Sequence, residues 1–296
     1  MSAAVRASEA GRSVGTAAAG TRDAASIRDL PAGATHVTAG VIRSGAWMAT
    51  QECVAQEVAV SFELDGEPHV VMLATPADLE DFALGFCLTE GLIDEPADLR
   101  SCEIRLREKG IVLALSRASE RAGRGEEPRR NLTGRTGCGL CGTDDLERVI
   151  RMPRRPLPPT RIEPAAFARA MGALGDEQPL GLATGATHAA AFCDLDGGIR
   201  LVREDVGRHN ALDKLIGALL RAGLDPGQGF AAVTSRASVE MVQKTALAGI
   251  PILAAVSAPT QLAIQLARDV DLLLAGFVRG DRATIYAGAA RLRSGD

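Results

Sequence analysis

Two cysteines that could carry chemistry lie close together in the chain. Cys138 and Cys141 occupy the run Gly137-Cys138-Gly139-Leu140-Cys141-Gly142. A C-x-x-C pair can be half of a zinc site, a redox dithiol or a sulfur-handling pair, and it can also be purely structural. The flanking glycines have no side chains, so they would let a thiol approach the active site of a partner closely. This access favours sulfur handling.

The other three functions of the pair stay open, but each has an argument against it. Zinc needs about four ligands, the chain has no second C-x-x-C, and His188 and Cys193 are far away and not at ligand spacing. A thioredoxin-like pair follows a buried strand, whereas this one follows a segment rich in Gly and Arg. A structural role is disfavoured because three glycines weaken any regular element.

Two further segments are rich in groups that could bind a ligand. The run 203–214 places charged and polar residues at the start of a predicted helix, which fits either a capped helix with a charged first turn or the lining of a polar cleft. Within it, His209 is either a satisfied structural histidine or a catalyst. The second segment, Phe277 to Arg282, places two arginines and a glycine where a phosphate could bind.

The second half of the chain alternates between strand and helix patterns. A hairpin is predicted around Asp194 to Gly198, followed by a helix from about Asn210. Then come, in order, a strand (230–234), a helix (239–248), a strand (250–256), a helix (260–268) and a strand (272–277). This spacing predicts a parallel sheet covered by helices. Ligands bind beyond the carboxyl ends of such strands, which here are Ser235-Arg236, Ser257 and Arg279-Gly280-Asp281.

The first half predicts a smaller α+β portion. An Asp65-Gly66 hairpin should join strands at 57–64 and 67–74, and a helix should begin at Thr75 as the cap and stop at Gly91. A second hairpin is expected across 103–115. The proline-rich stretch 153–159 is typical of a linker. We therefore expect a disordered leader (1–35), an α+β domain (36–152) that ends in the cysteine loop, and an α/β domain (160–296).

Composition narrows the classes of function. Apolar residues make up 46% of the chain and the net charge is −4, which favours a packed core and gives no reason to expect nucleic-acid binding. Six cysteines in 296 residues do not form a disulfide framework. The four that are scattered are expected to be small buried hydrophobes, namely Cys53, Cys87, Cys102 and Cys193. No apolar run is long enough to span a membrane and arginines interrupt the leader, which predicts a cytoplasmic location.

Taken together, these motifs resemble those of the FdhD/NarQ family, the formate dehydrogenase accessory sulfurtransferases. The matching pieces run from about residue 50 to 288, and the stretch 204–214 is the most specific. They are Thr75-Pro76 to Gly85-Phe86, Glu90-Gly91, Cys138 to Gly142, Glu204 to Asn210 with Ala211, Asp213 and Lys214, Thr234-Ser235-Arg236, and Gly276-Phe277-Val278-Arg279. The leader and the Arg/Gly-rich insertion at 117–133 lie outside the resemblance.

The resemblance implies both a fold and a role. It implies an α/β protein whose second half is a three-layer domain similar to cytidine deaminases. The deaminase pattern His-x-Glu with Pro-Cys-x-x-Cys is absent, so neither deamination nor zinc is implied. A cysteine desulfurase would load a persulfide on Cys138 or Cys141, and the sulfur would pass to the molybdenum of the bis-molybdopterin guanine dinucleotide cofactor of formate dehydrogenase.

The same resemblance implies where the cofactor binds and which partners are involved. The cofactor-binding segment of the family maps to Phe277, Val278, Arg279, Gly280, Asp281 and Arg282, and GDP would mimic part of the cofactor. The implied partners are the desulfurase, the catalytic subunit of formate dehydrogenase and a second copy of the chain, with no nucleic acid and no membrane. The alternative is a chaperone that binds the cofactor or its client enzyme without transferring sulfur.

Overall fold

The computed structural model describes residues 30–118 and 150–293, and these contain twelve strands and six α-helices. The strands are β1 (Ala34–Arg43), β2 (Ala46–Ala55), β3 (Val58–Leu64), β4 (Glu67–Ala74), β5 (Leu99–Arg107), β6 (Gly110–Arg117), β7 (His188–Asp194), β8 (Ile199–Asp205), β9 (Gly229–Val233), β10 (Ile252–Ala255), β11 (Leu273–Arg279) and β12 (Arg282–Ala287). The helices are α1 (Leu79–Thr89), α2 (Pro164–Leu174), α3 (Pro179–Thr184), α4 (Arg208–Arg221), α5 (Val239–Leu247) and α6 (Gln261–Asp269). Cys138 and Cys141 lie outside the described residues.

The first of two larger sheets has the strand order β4-β3-β6-β5. Both hairpins predicted for it are confirmed: β3 pairs with β4 across Asp65-Gly66, and β5 pairs with β6 across the turn before Gly110. Alternate residues of β3 point to one side, where Phe62 packs against Phe82 and Phe86 of α1 with ring centroids 5.1 and 4.3 Å away. The alternation of apolar side chains therefore fixes which face of the sheet α1 covers.

The start of α1 differs from the prediction. The helix begins at Leu79 after Asp78, whose φ of 52° is left-handed, and Thr75 does not cap it. Instead the Thr75 N–H donates to Asp205 Oδ2 at 3.0 Å and its hydroxyl accepts from the Val206 N–H at 3.2 Å. A partner from the second half of the chain therefore takes the place of the local cap.

The second larger sheet has the strand order β12-β11-β10-β9-β7-β8. The parallel core predicted from the sequence is confirmed for β9, β10 and β11. The sheet as a whole is mixed, because β7 runs antiparallel to β9, β8 to β7 and β12 to β11. Tight hairpins account for the β7–β8 and β11–β12 pairs, since a short turn can join only antiparallel strands, whereas β7 and β9 are joined through β8 and α4.

Helices cover both faces of this sheet. Residues of α4, α5 and α6 pack on one face and residues of α2 on the other, so each face has its own apolar cluster. The α/β class and the three-layer second half are therefore confirmed. Each of the predicted portions, 36–152 and 160–296, contains one of the two larger sheets.

The two sheets meet where α1 crosses α4. A Cβ built on Gly85 would lie 1.8 Å from the backbone oxygen of Asp213, and one built on Gly217 would lie 1.9 Å from that of Asp81. Only glycine allows two helix backbones to approach so closely. The α1–α4 crossing therefore depends on both glycines.

An arm formed by β1 and β2 precedes the first larger sheet. These strands pair only with each other in the described part of the chain. They join through Ser44 and Gly45, both at positive φ, which suits a two-residue hairpin turn. The predicted leader, 1–35, extends two residues into β1, because its last two residues pair with Ala55 and Val54.

Candidate functional site

Several chain segments converge at one edge of the six-stranded sheet. Strands β9, β10 and β11 are parallel and end at this edge, and β8 also ends there because two antiparallel pairings separate it from β9. Helices α4, α5 and α6 begin directly after β8, β9 and β10. This carboxyl edge is where a sheet of this kind presents ligands, and the amino ends of the helices add partial positive charge.

Backbone hydrogen bonds join the loops that follow β9 and β10. The Ala237 N–H donates to the Ala258 carbonyl at 3.2 Å, and the Thr260 N–H donates to the Ala237 carbonyl at 3.1 Å. Thr260 also caps α6 by accepting from the Ala263 N–H. The predicted strand-end segments after β9 and β10 are therefore held together.

Phe277 lies at a β-bulge on β11 with a φ of 51°. A left-handed φ is strained for a large side chain, and here the Phe277 N–H donates to the Ser257 carbonyl at 3.2 Å. The preceding residue, Gly276, leaves little room for a side chain, since its Cβ would lie 3.0 Å from both Pro259 and Tyr286. The bulge leaves the Phe277 ring 40% exposed at the carboxyl edge.

The rest of the predicted cofactor-binding segment divides between surface and core. Arg279 and Arg282 are exposed and directly opposite each other in register, so their side chains leave the hairpin on the same face. Gly280, with a φ of 56°, and Asp281 form the turn between them. Val278 is only 1% exposed and packs in the core, so its side chain is not available to a ligand on the surface.

The sequence analysis did not predict that the side chains of Arg279 and Arg282 lie on the same face of the hairpin, although the sequence contains a signal for it. Gly280-Asp281 between two arginines is a two-residue hairpin loop, and such a loop places its flanking residues opposite each other. Two guanidinium groups on one face repel each other and attract an anion. Neither arginine forms an ion pair with any residue that the structure describes.

The polar run 203–214 is mostly buried and joins the two halves of the chain. Asp205 and Lys214 are fully buried, and the Lys214 Nζ lies 2.7 Å from Asp205 Oδ2. Asp205 also accepts from the backbone N–H groups of Thr75 and Gly207, and Lys214 donates to the Thr75 carbonyl. This part of the run therefore holds the end of β4 against α4 and does not line an open cleft.

A second buried network is centred on Asp213, which directly precedes Lys214 in α4. Lys244 of α5 donates to both oxygens of Asp213, at 3.0 and 2.9 Å, and to the Thr89 hydroxyl at 2.9 Å. Glu90 joins it at 3.3 Å from the Lys244 Nζ. The neighbouring carboxylates raise the pKa of Lys244 above its usual value despite the opposing effect of burial. The network therefore joins α1, α4 and α5 through paired charges.

His209 lies at the start of α4 beside the first turn of α5. Its Nε2 lies 3.1 Å from Glu240 Oε2 and 3.4 Å from the Ser238 hydroxyl. Burial lowers the pKa of His209 to about 2, with Arg208 and Lys244 contributing. Burial also raises the pKa of Glu240 to about 7. His209 is therefore neutral near neutral pH, whereas Glu240 is present there in both its protonated and its ionised form.

The four scattered cysteines differ in how deeply they are buried. Cys87 and Cys193 are buried, as predicted, whereas Cys53 and Cys102 are half-buried. Burial raises the pKa of Cys193 to about 12 and that of Cys102 to about 11. These two thiols therefore stay protonated and are poor nucleophiles.

A metal-ligand cluster and a membrane-spanning helix are both absent from the part of the chain that the structure describes. Within 30–118 and 150–293, no three His, Cys, Asp or Glu side chains come together as metal ligands would. Among the helices of these same residues, none combines the length and the apolar character needed to cross a membrane.

Comparison with known proteins places this arrangement in a family. The model of the FdhD/NarQ family matches residues 55–293. The chain belongs to the FdhD/NarQ family. The matched residues include both the run 203–214 and the exposed bulge at Phe277.

Individual relatives agree with this membership. The chain is 51% identical over 253 residues to the sulfur carrier protein FdhD of Xanthomonas campestris pv. campestris, covering 86% of this chain and 90% of the relative. It is 52% identical over 240 residues to that of Bordetella petrii, covering 81% and 86%. A crystal structure from Desulfotalea psychrophila, described as a formate dehydrogenase accessory protein, has the same fold, with a TM-score of 0.70 and 24% identity over 88% of this chain and 99% of that one. This FdhD/NarQ chain is accordingly similar to sulfur carriers.

Proposed function

We propose that this chain carries persulfide sulfur from a cysteine desulfurase to the molybdenum of the bis-molybdopterin guanine dinucleotide cofactor, which formate dehydrogenase requires. The observation that carries the proposal is its likeness to proteins named sulfur carriers at about half identity, together with the glycine-flanked Cys138 and Cys141. The cofactor is here a substrate. The desulfurase and the catalytic subunit of formate dehydrogenase are the proposed partners, in the cytoplasm, and the chain acts as a homodimer.

The two cysteines have different proposed roles. The Cys138 thiolate attacks the terminal sulfur of the desulfurase persulfide, a new S–S bond forms, and the desulfurase cysteine leaves as a thiolate. Cys141 then assists or receives the sulfur. The terminal sulfur would then pass as a neutral sulfur atom to the metal in a reduced state, which supplies the two electrons of the new metal–sulfide bond, and the S–S bond breaks so that the carrier cysteine leaves as a thiolate. Cys193 and Cys102 are poorer candidates, since burial suppresses the thiolate of each.

We propose that the carboxyl edge binds the phosphate and guanine groups of the cofactor. Arg279 and Arg282 leave the hairpin on one face, and guanidinium groups bind phosphate through paired hydrogen bonds. The exposed ring of Phe277 is available for stacking on a base. GDP carries both kinds of group, so it is the simplest probe of this site.

Sulfur loading is tested by intact-mass spectrometry after incubation with a desulfurase and cysteine. The wild-type chain should gain the mass of one sulfur atom, and the Cys138→Ala, Cys141→Ala double variant should not. Cys138→Ala should fold normally yet leave formate dehydrogenase assembled and inactive, whereas Cys53→Ala should leave formate dehydrogenase active. A sulfur adduct that persists in the double variant would show that the chemistry lies elsewhere.

Cofactor binding is tested by calorimetry with GDP. Arg279→Ala removes a charge-assisted contact and should cost about 1.5–3 kcal/mol of binding free energy. Arg268→Ala is the matched control, because Arg268 is also exposed but lies at the carboxyl end of α6, away from the edge. Equal GDP affinity in all three proteins would refute the placement. GDP binding without any sulfur adduct would favour the alternative, a cofactor-binding chaperone.

A further inference from the structure

Glu240 is a buried carboxylate close to the carboxyl edge. It is the second residue of α5, which follows β9 and its loop, and its side chain is only 10% exposed. His209 of α4 lies beside it, with Nε2 3.1 Å from Glu240 Oε2. From the residues that the structure describes, this oxygen accepts no hydrogen bond of good geometry. The carboxylate therefore lacks the partners that a buried charge normally has.

The charged groups around Glu240 come from three helices. They are Arg208 and Asp213 on α4, Lys244 on α5 and Glu90 at the end of α1. Lys244 is already held by Asp213 at 2.9 Å and by Glu90 at 3.3 Å. Within 30–118 and 150–293, no Lys or Arg forms an ion pair with Glu240. A negative charge on Glu240 is therefore not matched by a cation of its own in this part of the chain.

The protonation states follow from this burial. Burial lowers the pKa of His209 to about 2, and Arg208, Lys244 and His188 act in the same direction, so the imidazole is neutral. Burial raises the pKa of Glu240 to about 7, although Lys244 opposes this shift. Near neutral pH, Glu240 is therefore the member of the pair that gains or loses a proton.

Backbone contacts connect Glu240 with the proposed phosphate site. The loop after β9, which leads to Glu240, is bonded to the loop after β10. There the Ser257 carbonyl accepts from the N–H of Phe277 at 3.2 Å, two residues before Arg279. Strands β9 and β11 are two positions apart in the sheet, so about 10 Å separates them. An anion bound by Arg279 would then lie on the order of 10 Å from the Glu240 carboxylate.

We infer that the carboxyl edge binds a phosphate-bearing ligand more tightly when Glu240 is protonated than when it is ionised, so that binding takes up a proton from solvent. The reason is repulsion between like charges. At about 10 Å and an effective dielectric constant of about 20, one unit charge shifts a proton equilibrium roughly tenfold. By linkage, ionisation of Glu240 weakens ligand binding by the same factor. Within the proposed function, on which this inference rests, Glu240 sets how tightly the cofactor is held.

Calorimetry on the full-length chain measures the proton directly. GDP is titrated into the protein at pH 8, well above the pKa of about 6 for a terminal phosphate, in Tris and in HEPES, whose ionisation enthalpies differ. The difference between the two heats gives the number of protons taken up. A tenfold shift predicts about 0.4 proton per GDP for the wild type and none for Glu240→Gln.

The affinity of Glu240→Gln for GDP is the second measurement. The neutral amide is equivalent to the protonated carboxyl group, so this variant should match the wild type at pH 6. At pH 8.5 it should bind GDP roughly five- to tenfold more tightly than the wild type, and a damaged fold would not produce such a gain. Glu67→Gln is the matched control, since it removes one negative charge from an exposed position in the β3–β4 hairpin and should follow the wild type at both pH values.

Failure of this inference can be told apart from failure of the proposed function. An identical pH dependence of GDP affinity in the wild type and in Glu240→Gln, or no proton uptake by the wild type, would overturn the role of Glu240 and leave the phosphate site standing. No GDP binding by any of these proteins at any pH would overturn the phosphate site and the role of Glu240 together. Sulfur loading is measured separately and does not depend on either result.

Discussion

One added methyl group at Gly85 tests the α1–α4 crossing on which the contact between the two sheets depends. In Gly85→Ala the new Cβ would lie 1.8 Å from the Asp213 carbonyl oxygen and 2.8 Å from the Gly217 backbone nitrogen. Both atoms belong to the backbone of α4, so no side chain can rotate away. The helices must separate by more than about 1 Å, because the Cβ–oxygen distance falls short of an ordinary non-bonded contact by more than that.

Two opposing effects set the magnitude. Overpacking of a well-packed interior costs about 1–3 kcal/mol, and more where backbone must move. Alanine favours a helix over glycine by about 0.8–1.0 kcal/mol. Because the clash here is with backbone, we take the upper end of the first range, and the net loss of unfolding free energy is then about 2 kcal/mol or more. That corresponds to roughly 4–8 °C in melting temperature for a protein of this size.

The assay is urea unfolding followed by circular dichroism, with Gly172→Ala as the matched control. Gly172 also lies inside a helix, α2, but a Cβ there meets nothing within 4 Å. The same substitution should therefore stabilise the protein by about 0.5–1 kcal/mol at Gly172 and destabilise it at Gly85. If Gly85→Ala unfolds at the same or higher urea concentration than the wild type, the close backbone approach is wrong.

Three other perturbations have expected outcomes. Lys214→Met leaves the buried Asp205 carboxylate without its cation and should cost about 3–5 kcal/mol in urea unfolding; an unchanged midpoint would contradict the buried pair. In the folded protein the pKa of Glu240 rises from 4.5 to about 7, so the stability this group contributes is present below about pH 4.5 and is lost as the pH rises through 7. Glu240→Gln should therefore gain on the wild type from pH 5 to pH 8, by at most about 3 kcal/mol, and parallel pH profiles would be the opposite result. Deleting residues 1–29, which lack apolar periodicity, should leave the melting temperature within a few degrees, and a larger fall would mean that they pack.

Local patterns predicted most of the regular elements. The Asp65-Gly66 turn and the alternation around it are sufficient for the β3–β4 hairpin, because both signals act within a few residues. The same holds for the parallel core of β9, β10 and β11, whose strands are short apolar runs between helical patterns. The elements that sequence reasoning missed, β1, β2, α2, α3 and β12, also carry local signals, such as the Pro164 that opens α2.

Functional expectations came from motifs rather than from geometry. The glycine-flanked Cys138 and Cys141 and the run 204–214 indicated the FdhD/NarQ family, and the family is confirmed. The roles of the two cysteines and of the cofactor-binding segment stay predictions. Sequence spacing also predicted that Phe277 to Arg282 lies at the end of a buried strand, which is where it lies.

The sequence by itself therefore determined most of the strands and helices, the family and the residue types at the carboxyl edge, because each of these depends on neighbours in the chain or on motif identity. Only the tertiary structure decided the long-range contacts. Thr75 is a residue type that commonly caps helices, yet its N–H donates to Asp205, 130 positions away. Gly85 and Gly217 are unremarkable glycines until α1 and α4 cross. Two charged residues of the run 203–214 are buried against partners from distant segments. Lys214 donates to the Thr75 carbonyl, and Asp213 accepts from Thr89 and Lys244. Only folding brings these segments together.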